Sequence, residues 1–317
     1  MIYLIGAGLM AIEYAKILNE MRVDFIVVGR GALSAKRFED KINKKVSLDF
    51  KTLDNLGPKD LVINSVGHTE LYSVTKQLLN LGAKKILVEK PGAVKFSEII
   101  ELNNLSLKLN SEIYIAYNRR FLSSMQKALE LIEEDDGLSA IHFEFSELMD
   151  RNRQIQKPEE VYRTWFLANS SHVVDMAFYA AGNPKKFSCY RNGEIKLGNQ
   201  ILPASYIGSG ITKKDIPFTY SAYWDAPGRW RLELLSKNYR CILSPLETLK
   251  LMKRNTFTEI DIELSQQISD EFKPGLYTQV KMFIEGQVGV MNIKEHVDRI
   301  DFYSQLSGIN DPIDLMG

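Results

Sequence analysis

The lysine of the tripeptide Glu89-Lys90-Pro91 is well placed, by residue type and by spacing, to do chemistry. It follows the apolar run 86–88, which is typical of a buried strand. The proline stops the strand, so Lys90 should stand at its carboxyl end, where open α/β sheets bind their ligands. An amine held there can donate or accept a proton. A solvated charge pair at a strand end is the alternative interpretation.

A glycine-rich turn near the start of the chain, residues 6–11, has the spacing of a dinucleotide fingerprint with alanine in the last place. Gly6 would make the tight turn, and Gly8 would let the backbone approach a pyrophosphate. Leu9 and Met10 then open a helix whose N-terminal amides attract anions. We therefore predict a nicotinamide dinucleotide site, with an ordinary glycine turn as the alternative.

The end of the second predicted strand, 25–28, indicates which dinucleotide binds. NAD-binding chains usually carry an acid about 20 residues after the glycines, whereas this chain has Gly29 and Arg30 there. The planar guanidinium of Arg30 suits a phosphate, and Ser34 and Arg37 could add donors. NADP is therefore favoured over NAD. The alternative is that Arg30 is a surface residue stacking on adenine.

Two further strand ends are expected to contact the cofactor. Ser65, Val66 and His68 follow the strand at 61–63 and should face the ribose and nicotinamide. For His68, the start of a helix is the alternative place. The remaining predicted cofactor contacts, at the ends of later strands, are Glu89, Lys90, Pro91, Asn118 and Arg119.

Alternating strand-like and helix-like segments in residues 1–120 predict a Rossmann domain with a doubly wound parallel sheet. Beyond residue 120 the apolar residues alternate at 140–146, 219–224, 231–235 and 258–262. That alternation predicts an α+β domain, residues 121–317, with a largely antiparallel open sheet. The stretch 224–230, with a tryptophan at each end, is interpreted as a hairpin-like connection. It could form a sugar-facing surface, an interface surface or a turn with buried aromatic anchors.

Composition excludes several classes of protein. The 317 residues include 40 basic and 40 acidic side chains, so no global field favours nucleic acid or a membrane. Cys189 and Cys241 lie too far apart to suggest a disulfide framework or a metal cluster, which fits a reducing cytosol. No apolar run approaches the roughly 18 to 20 residues of a membrane span. We expect a cytoplasmic protein without a bound metal.

Several motifs follow one another in an informative order. After the glycine turn and the tripeptide at 89–91 come Tyr117-Asn118-Arg119-Arg120-Phe121, Ser171-His172-Val173-Val174-Asp175 and Gly182-Asn183-Pro184. Together they resemble the glucose–fructose oxidoreductase / inositol dehydrogenase / rhizopine catabolism (Gfo/Idh/MocA) family, over most of the chain and most strongly in residues 1–185. The resemblance implies hydride transfer between NAD(P) and a secondary hydroxyl or ketone of a sugar, cyclitol or nucleotide sugar. It also implies a homodimer or homotetramer formed through the C-terminal sheet.

The resemblance further implies that Lys90 and His172 lie near the reacting hydroxyl as acid/base groups. The pKa of a histidine is naturally close to neutral, which suits this task. Asp175 lies one helical turn beyond His172 and could orient its imidazole, with helix capping or packing as the alternative. Taken alone, His172 could equally be a structural histidine at the start of an apolar helix.

One departure from the family pattern concerns the residues before His172. Many members carry an aspartate three or four positions earlier, where this chain has Asn169 and Ala168. An asparagine can hydrogen-bond a sugar hydroxyl but cannot act as a base. Further predicted substrate contacts are Tyr117, Arg163 and Trp165, although Trp165 is as well explained by core packing.

Two other functions remain open at this point. A non-catalytic dinucleotide sensor on the same fold would need neither Lys90 nor His172. A dehydrogenase of simple hydroxy acids would need an arginine to grip the carboxylate, and Arg119 and Arg163 are the candidates.

Overall fold

The computed structural model describes residues 1–54, 56–264 and 271–309. In chain order the strands are β1 Ile2–Ile5, β2 Phe25–Val28, β3 Val46–Ser47, β4 Leu61–Asn64, β5 Lys85–Glu89, β6 Glu112–Ala116, β7 Ala140–Phe145, β8 Pro184–Asn192, β9 Ile195–Leu197, β10 Gln200–Leu202, β11 Ser205–Thr212, β12 Pro217–Tyr223, β13 Trp230–Leu235, β14 Tyr239–Leu243, β15 Lys250–Lys253, β16 Glu259–Asp261 and β17 Met291–Asn292. The helices are α1 Leu9–Glu20, α2 Ala32–Ile42, α3 Leu71–Asn80, α4 Phe96–Lys108, α5 Ser123–Glu133, α6 Met149–Asn152, α7 Glu159–Arg163, α8 Ser171–Ala181, α9 Leu276–Glu285, α10 Ile293–Val297 and α11 Ile300–Ser307. Short 3₁₀ turns span Phe50–Leu53, His68–Glu70 and Asn118–Phe121, and a π-helical turn spans Phe166–Ser170.

The chain forms two compact units, and the first is built from two separate stretches. Met1–Tyr117 and Glu271–Val297 make the first unit, while residues 118–264 and 298–309 make the second. The sequence predicted a single boundary at residue 120, with everything beyond it in one domain. The difference is that α9, β17 and α10 return to the first unit.

The first unit contains a sheet of strand order β3-β2-β1-β4-β5-β6-β17. Its strands pair in parallel except at the edge, where β17 runs antiparallel to β6 through the pairs Met291↔Ile115 and Asn292↔Tyr114. The central strands are almost wholly buried because helices cover both faces of such a sheet. The predicted Rossmann sheet is confirmed, with its ligand-binding edge at the carboxyl ends of the strands.

The second unit contains a sheet of strand order β16-β15-β14-β13-β7-β12-β11-β8. Most neighbouring strands are antiparallel, as predicted, but β12 runs parallel to β7. Alternate residues along β7 are buried, and Phe143 stacks on Tyr220 and packs edge-on against Phe178 of α8. An aromatic core under one face therefore holds the sheet to its helices.

The connection between Trp224 and Trp230 is not a hairpin. Strands β12 and β13 both pair with β7, one on each side of it, so the connection crosses the end of that strand. The hairpin-like interpretation is therefore wrong. A local pattern of aromatic residues cannot reveal a third strand inserted between two consecutive ones.

Within the described parts of the chain, no helix is both long enough and apolar enough to span a membrane.

Candidate functional site

The glycine turn after β1 needs its first glycine for steric reasons. Gly6 has a φ of +106°, and a Cβ there would lie 3.1 Å from the Ser65 carbonyl carbon and oxygen. Ser65 is held in place because its hydroxyl donates to the Ile5 carbonyl oxygen at 2.9 Å. The ends of β1 and β4 are thus packed closely enough to exclude any side chain at position 6.

The second glycine of the turn leaves room for a ligand. Gly8 is the N-cap of α1, and a Cβ built there meets no atom of the described residues within 4 Å. Its N-cap residue, a glycine, has no side chain that could cap the helix, and the first turn, residues 9–12, has no acidic residue. Open space in front of uncapped amides suits an anion at the positive end of the helix dipole. These residues therefore fit the pyrophosphate of a dinucleotide.

The close packing around this turn extends to the end of β2. A Cβ at Gly29 would lie 3.1 Å from Val46 Cγ1 and 3.3 Å from the Ala7 methyl group. Any larger residue at the predicted contact Gly29 would therefore displace the Val46 or Ala7 side chain.

Arg30 has an ion-pair partner that the sequence did not suggest. Its guanidinium pairs with Glu70, and 66% of the Arg30 side chain is exposed. Ser34 donates its hydroxyl to the Gly31 carbonyl oxygen at 2.8 Å, and Arg37 is exposed on α2. The preference for NADP assumed that no carboxylate stands near Arg30. Glu70 supplies one from the turn after β4.

The two remaining predicted contacts of this edge, Val66 and His68, lie just before that turn and at its first residue. The backbone amide of Val66 donates to Asn64 Oδ1 at 3.4 Å, and His68 is the first residue of the 3₁₀ turn. His68 therefore occupies the helix-start position that the sequence left open for it.

Lys90 follows directly after β5, half-buried, at the predicted strand end. Its neighbour Glu89 is buried and accepts a 2.7 Å hydrogen bond from the Tyr14 hydroxyl of α1. Burial raises the pKa of Glu89, and the Tyr14 hydrogen bond and the charges of Lys90 and Lys273 oppose this shift. The strand end is thus tied to α1 through a buried carboxyl group beside Lys90.

The second stretch of the first unit, Glu271–Val297, contributes two residues that were not among the predicted contacts, His296 and Lys273. His296 of α10 is buried, and its Nε2 lies 3.0 Å from the Pro91 carbonyl oxygen. The ring of Tyr117, also buried, lies 5.7 Å from the His296 ring. Lys273 Nζ lies 3.0 Å from Met10 Sδ, which puts a cation beside the first turn of α1. No local motif reveals these contacts, because their partners are distant in sequence.

In the second unit, His172 lies in the first turn of α8 and is 8% exposed. Its ring centroid is 6.2 Å from that of Trp230, the first residue of β13. The Arg119 guanidinium carbon lies 5.0 Å from the same tryptophan ring, and Arg119 Nη1 is 2.7 Å from Glu247 Oε1. Arg119, predicted as a cofactor contact, thus belongs to a group with His172 and Trp230. Asn118 begins the 3₁₀ turn just before it and is buried.

Asp175 has a structural role in this unit. Arg120 donates from Nε to Asp175 Oδ2 at 2.7 Å and from Nη2 to Oδ1 at 2.6 Å, and Arg299 Nη1 donates to Oδ1 at 2.7 Å. All three side chains are almost fully buried. This differs from the predicted catalytic part, because both carboxylate oxygens are engaged by arginines. The packing alternative describes Asp175 better.

Glu147 is a buried carboxyl group that the sequence reasoning missed. It accepts hydrogen bonds from the Ser170 hydroxyl at 2.6 Å, Asn169 Nδ2 at 2.7 Å and Asn152 Nδ2 at 3.0 Å. Asn169 and Ser170 are adjacent and reach one carboxylate because they lie in the π-helical turn before α8. Burial raises the pKa of Glu147, and these donors oppose the shift. Its position just after β7 was the available signal.

The other predicted substrate contacts, Trp165 and Arg163, differ in how deeply their side chains are buried. Trp165 is buried, with its ring 6.1 Å from that of Tyr162, an environment that the core-packing alternative describes. Arg163 is half exposed, with Nη2 4.0 Å from Glu160 Oε1. The two tryptophans of the 224–230 connection also differ in burial. Trp224 is buried with Nε1 donating to the Phe145 carbonyl oxygen at 3.2 Å, whereas Trp230 lines a cavity.

This cavity, of about 380 Å³, is the candidate substrate half of the site. Its lining includes Arg119, Glu147, Arg151, Asn169, Arg229 and Trp230. A neighbouring cavity of about 750 Å³ shares Glu147, Leu148, Arg151 and Gly228 with it. The smaller cavity is the stronger candidate, because Trp230 connects it to His172. Both volumes lie in the range of small-molecule sites.

Solved structures with the same fold are enzymes of redox chemistry. A protein of Desulfitobacterium hafniense assigned as an NADPH-dependent oxidoreductase is 14% identical, with a TM-score of 0.78, covering 96% of this chain and 93% of its own. UDP-N-acetylglucosamine 3-dehydrogenase of Acidithiobacillus ferrooxidans is 11% identical, with a TM-score of 0.75 and 98% of both chains covered. A dehydrogenase of Chromobacterium violaceum, solved with NADH and UDP-GlcNAcA, is 14% identical, with a TM-score of 0.70 over 96% of this chain and 92% of its own.

At these identities the likeness establishes a shared fold. No protein-family model matches the sequence, and no curated protein gives a significant sequence match. The chain therefore has the fold of NAD(P)-dependent oxidoreductases, a Rossmann sheet followed by a largely antiparallel one.

Proposed function

We propose that this protein is an NAD(P)-dependent oxidoreductase of the Gfo/Idh/MocA type. Its substrate would be a sugar, cyclitol or nucleotide sugar with a secondary hydroxyl or the matching ketone. The observation that carries the proposal is the N-terminus of α1 at Gly8, a residue without a capping side chain, where a Cβ would meet no atom of the described residues within 4 Å. Lys90, at the end of a strand in the same sheet, supplies a group able to move a proton.

In this proposal the chain's own residues manage the proton of the reacting hydroxyl. The bound nicotinamide supplies the acceptor or donor of the hydride. Lys90 and His172 take up the hydroxyl proton during oxidation and return it during reduction. The Asn169 amide, whose Nδ2 donates to Glu147, has its Oδ1 as an acceptor for a substrate hydroxyl. The Trp230 ring provides an apolar face for a sugar.

The amides of Leu9 and Met10 and the side chains of Ser65 and His68 would hold the dinucleotide in the first unit. NADP remains favoured over NAD, because Arg30 carries a positive charge just after β2 and Lys273 carries one beside the first turn of α1. The competing observation is the ion pair between Arg30 and Glu70, which a 2′-phosphate would have to displace. Both cofactors therefore belong in the test.

The proposal predicts cofactor binding followed by turnover. NADPH and NADH fluorescence titrations should show saturable binding. NAD⁺ or NADP⁺ should then be reduced with at least one of UDP-N-acetylglucosamine, myo-inositol and glucose. Lys90→Met and His172→Asn should each lower kcat by about 10²- to 10⁴-fold, the usual contribution of an acid/base group, and His172→Asn should leave cofactor affinity unchanged.

Lys59→Met is the matched control, because Lys59 is an exposed lysine of the same unit. Circular dichroism should show that all three variants are folded. Suppose that the cofactor binds, that no substrate is oxidised or reduced, and that Lys90→Met and Lys59→Met do not differ in turnover. The protein is then a dinucleotide sensor. If neither NADPH nor NADH binds, both functions are refuted.

A further inference from the structure

We infer that the substrate carries a phosphoryl group, and that Arg151 and Arg229 bind this group at the edge of the candidate substrate cavity. The inference rests on the proposed function and narrows its substrate class. A phosphoryl-linked sugar, such as a sugar joined through phosphate to a second moiety, is the class that fits. The reasons are the charge of the cavity lining, its connection to the second cavity and the rigidity of its wall.

The cavity lining carries more arginines than acidic residues, in a chain whose formal net charge is zero. Arg119, Arg151 and Arg229 face one carboxyl group, that of Glu147. The Glu147 oxygens accept from Ser170, Asn169 and Asn152, which are neutral donors. The positive charge of the arginines is therefore not neutralised by the acid within the cavity.

Arg151 and Arg229 account for this excess. Arg119 is paired with Glu247, and the neighbouring Arg153 is paired with Asp150 at 2.9 Å. For Arg151 and Arg229, by contrast, no carboxylate lies within ion-pair distance anywhere in residues 1–54, 56–264 or 271–309. Guanidinium groups bind phosphate oxygens through paired, charge-assisted hydrogen bonds. The two arginines are suited to an external anion of this kind.

The position of Arg151 favours a linking phosphate over a free sugar acid. Arg151 lines both the cavity that holds Trp230 and the larger neighbouring one. A sugar lying against Trp230 would place an attached phosphoryl group at the boundary, and whatever the phosphate carries would enter the second cavity. A sugar carboxylate would leave the second cavity without an occupant.

The wall that carries Arg229 is held in place by its own contacts. The Trp224 indole donates to the Phe145 carbonyl oxygen at 3.2 Å, and the Arg229 amide donates to Glu144 Oε1 at 3.3 Å. A Cβ at Gly228 would clash with the Ser146 side chain, so the connection lies tightly over the end of β7. An arginine on such a wall loses less entropy on binding than one on a free loop.

Isothermal titration calorimetry on the full-length protein tests the inference with four probes. These are UDP-N-acetylglucosamine, N-acetylglucosamine 1-phosphate, N-acetylglucosamine and glucuronate. We expect the two phosphoryl-bearing probes to bind at least tenfold more tightly than N-acetylglucosamine or glucuronate. UDP-N-acetylglucosamine should bind more tightly than N-acetylglucosamine 1-phosphate, because it also reaches the second cavity.

The double variant Arg151→Gln/Arg229→Gln should weaken binding of both phosphoryl-bearing probes at least tenfold and leave NADPH affinity unchanged. Arg254→Gln is the matched control, since Arg254 is an exposed arginine of the same unit away from this cavity. A preference for glucuronate would overturn the phosphoryl assignment. So would equal affinities for all probes, no binding of any, or no loss in the double variant. A different result would refute the oxidoreductase proposal instead. In that case wild type does not bind NADPH, but the double variant still loses affinity for the phosphoryl-bearing probes.

Discussion

The Glu147 carboxyl and the Asn169 amide stand where the family resemblance led us to expect a single aspartate. Asn169 takes the sequence position of that aspartate, and a carboxylate lies 2.7 Å from its Nδ2. The carboxylate comes from the end of β7, in a different element. The second unit thus keeps an acid beside this position, but the acid and the amide come from different elements.

The buried position of Glu147 has a measurable consequence for stability. Burial raises its pKa above the ordinary value of 4.5, so above that pH the folded protein retains a proton that the unfolded chain has lost. The stabilising effect is therefore complete below about 4.5 and is lost as pH rises through the folded-state pKa. We compare the unfolding free energy of wild type with that of Glu147→Gln, and we expect the difference to shift against wild type as pH rises. The total shift should be about 1.4 kcal/mol for each unit by which the folded-state pKa exceeds the unfolded-state pKa.

Urea unfolding of both proteins between pH 4 and pH 8 measures this difference. Glu194→Gln, an exposed glutamate of the same unit, should show no such trend. The swap Glu147→Gln/Asn169→Asp should recover part of any activity lost in Glu147→Gln, because it restores an amide-to-carboxylate hydrogen bond. A pH-independent difference between wild type and Glu147→Gln would show that burial does not raise the Glu147 pKa.

The Arg30–Glu70 pair makes a prediction about cofactor choice. Arg30→Ala should weaken NADPH binding by about tenfold and NADH binding hardly at all, because only NADPH has a 2′-phosphate. Glu70→Gln should tighten NADPH binding, since it releases the guanidinium from its ion pair. Fluorescence titrations with both cofactors measure the effects. Equal losses for NADPH and NADH in Arg30→Ala would rule out a phosphate-binding role.

At the scale of elements, the ion cluster of Asp175 joins three separate pieces of the second unit. Arg120 comes from the 3₁₀ turn at Asn118–Phe121, Asp175 from α8, and Arg299 from the N-cap of α11. Asp175→Asn would remove the carboxylate charge that these two buried guanidinium groups share. We expect it to lower the free energy of unfolding by about 3–5 kcal/mol, whereas Asp301→Asn, on the exposed side of α11, should change it little. A loss below about 1 kcal/mol in urea unfolding would show that water or other groups compensate.

Local features were predictable from the sequence, and long-range ones were not. Gly6, Gly8 and Lys90 were located correctly because a turn or a strand end is encoded within a few residues. Glu70 beside Arg30 and His296 beside Pro91 were missed, since each pair joins elements far apart in the chain. The same limit explains the hairpin-like interpretation and the single domain boundary. Apolar periodicity identifies a strand but not its neighbours.

At the scale of the whole molecule, the outer face of the second sheet is the surface we expect to bind another copy of the chain. Tyr190 and Ile207 are paired on β8 and β11 and are 69% and 47% exposed, and Ile211 projects on the same face. Exposed apolar side chains grouped on one sheet face are typical of an interface. We expect a dimer or tetramer by light scattering, which Ile207→Lys/Ile211→Lys should dissociate to monomers. Ile201→Lys, on the separate β9–β10 pair, should not, and a monomeric wild type would contradict the prediction.

The return of the chain to its first unit also governs the order in which the protein can fold during synthesis. The ribosome makes β1 to β6 early, but their edge partner β17 and the helices α9 and α10 emerge only after the entire second sheet. His296, which contacts the turn after Lys90, arrives with them. An N-terminal fragment ending near residue 120 would leave β6 as an open edge, a surface on which nascent chains aggregate. The strand end at Lys90 is thus completed among the last steps of biosynthesis, after the sheet of the second unit has already been made.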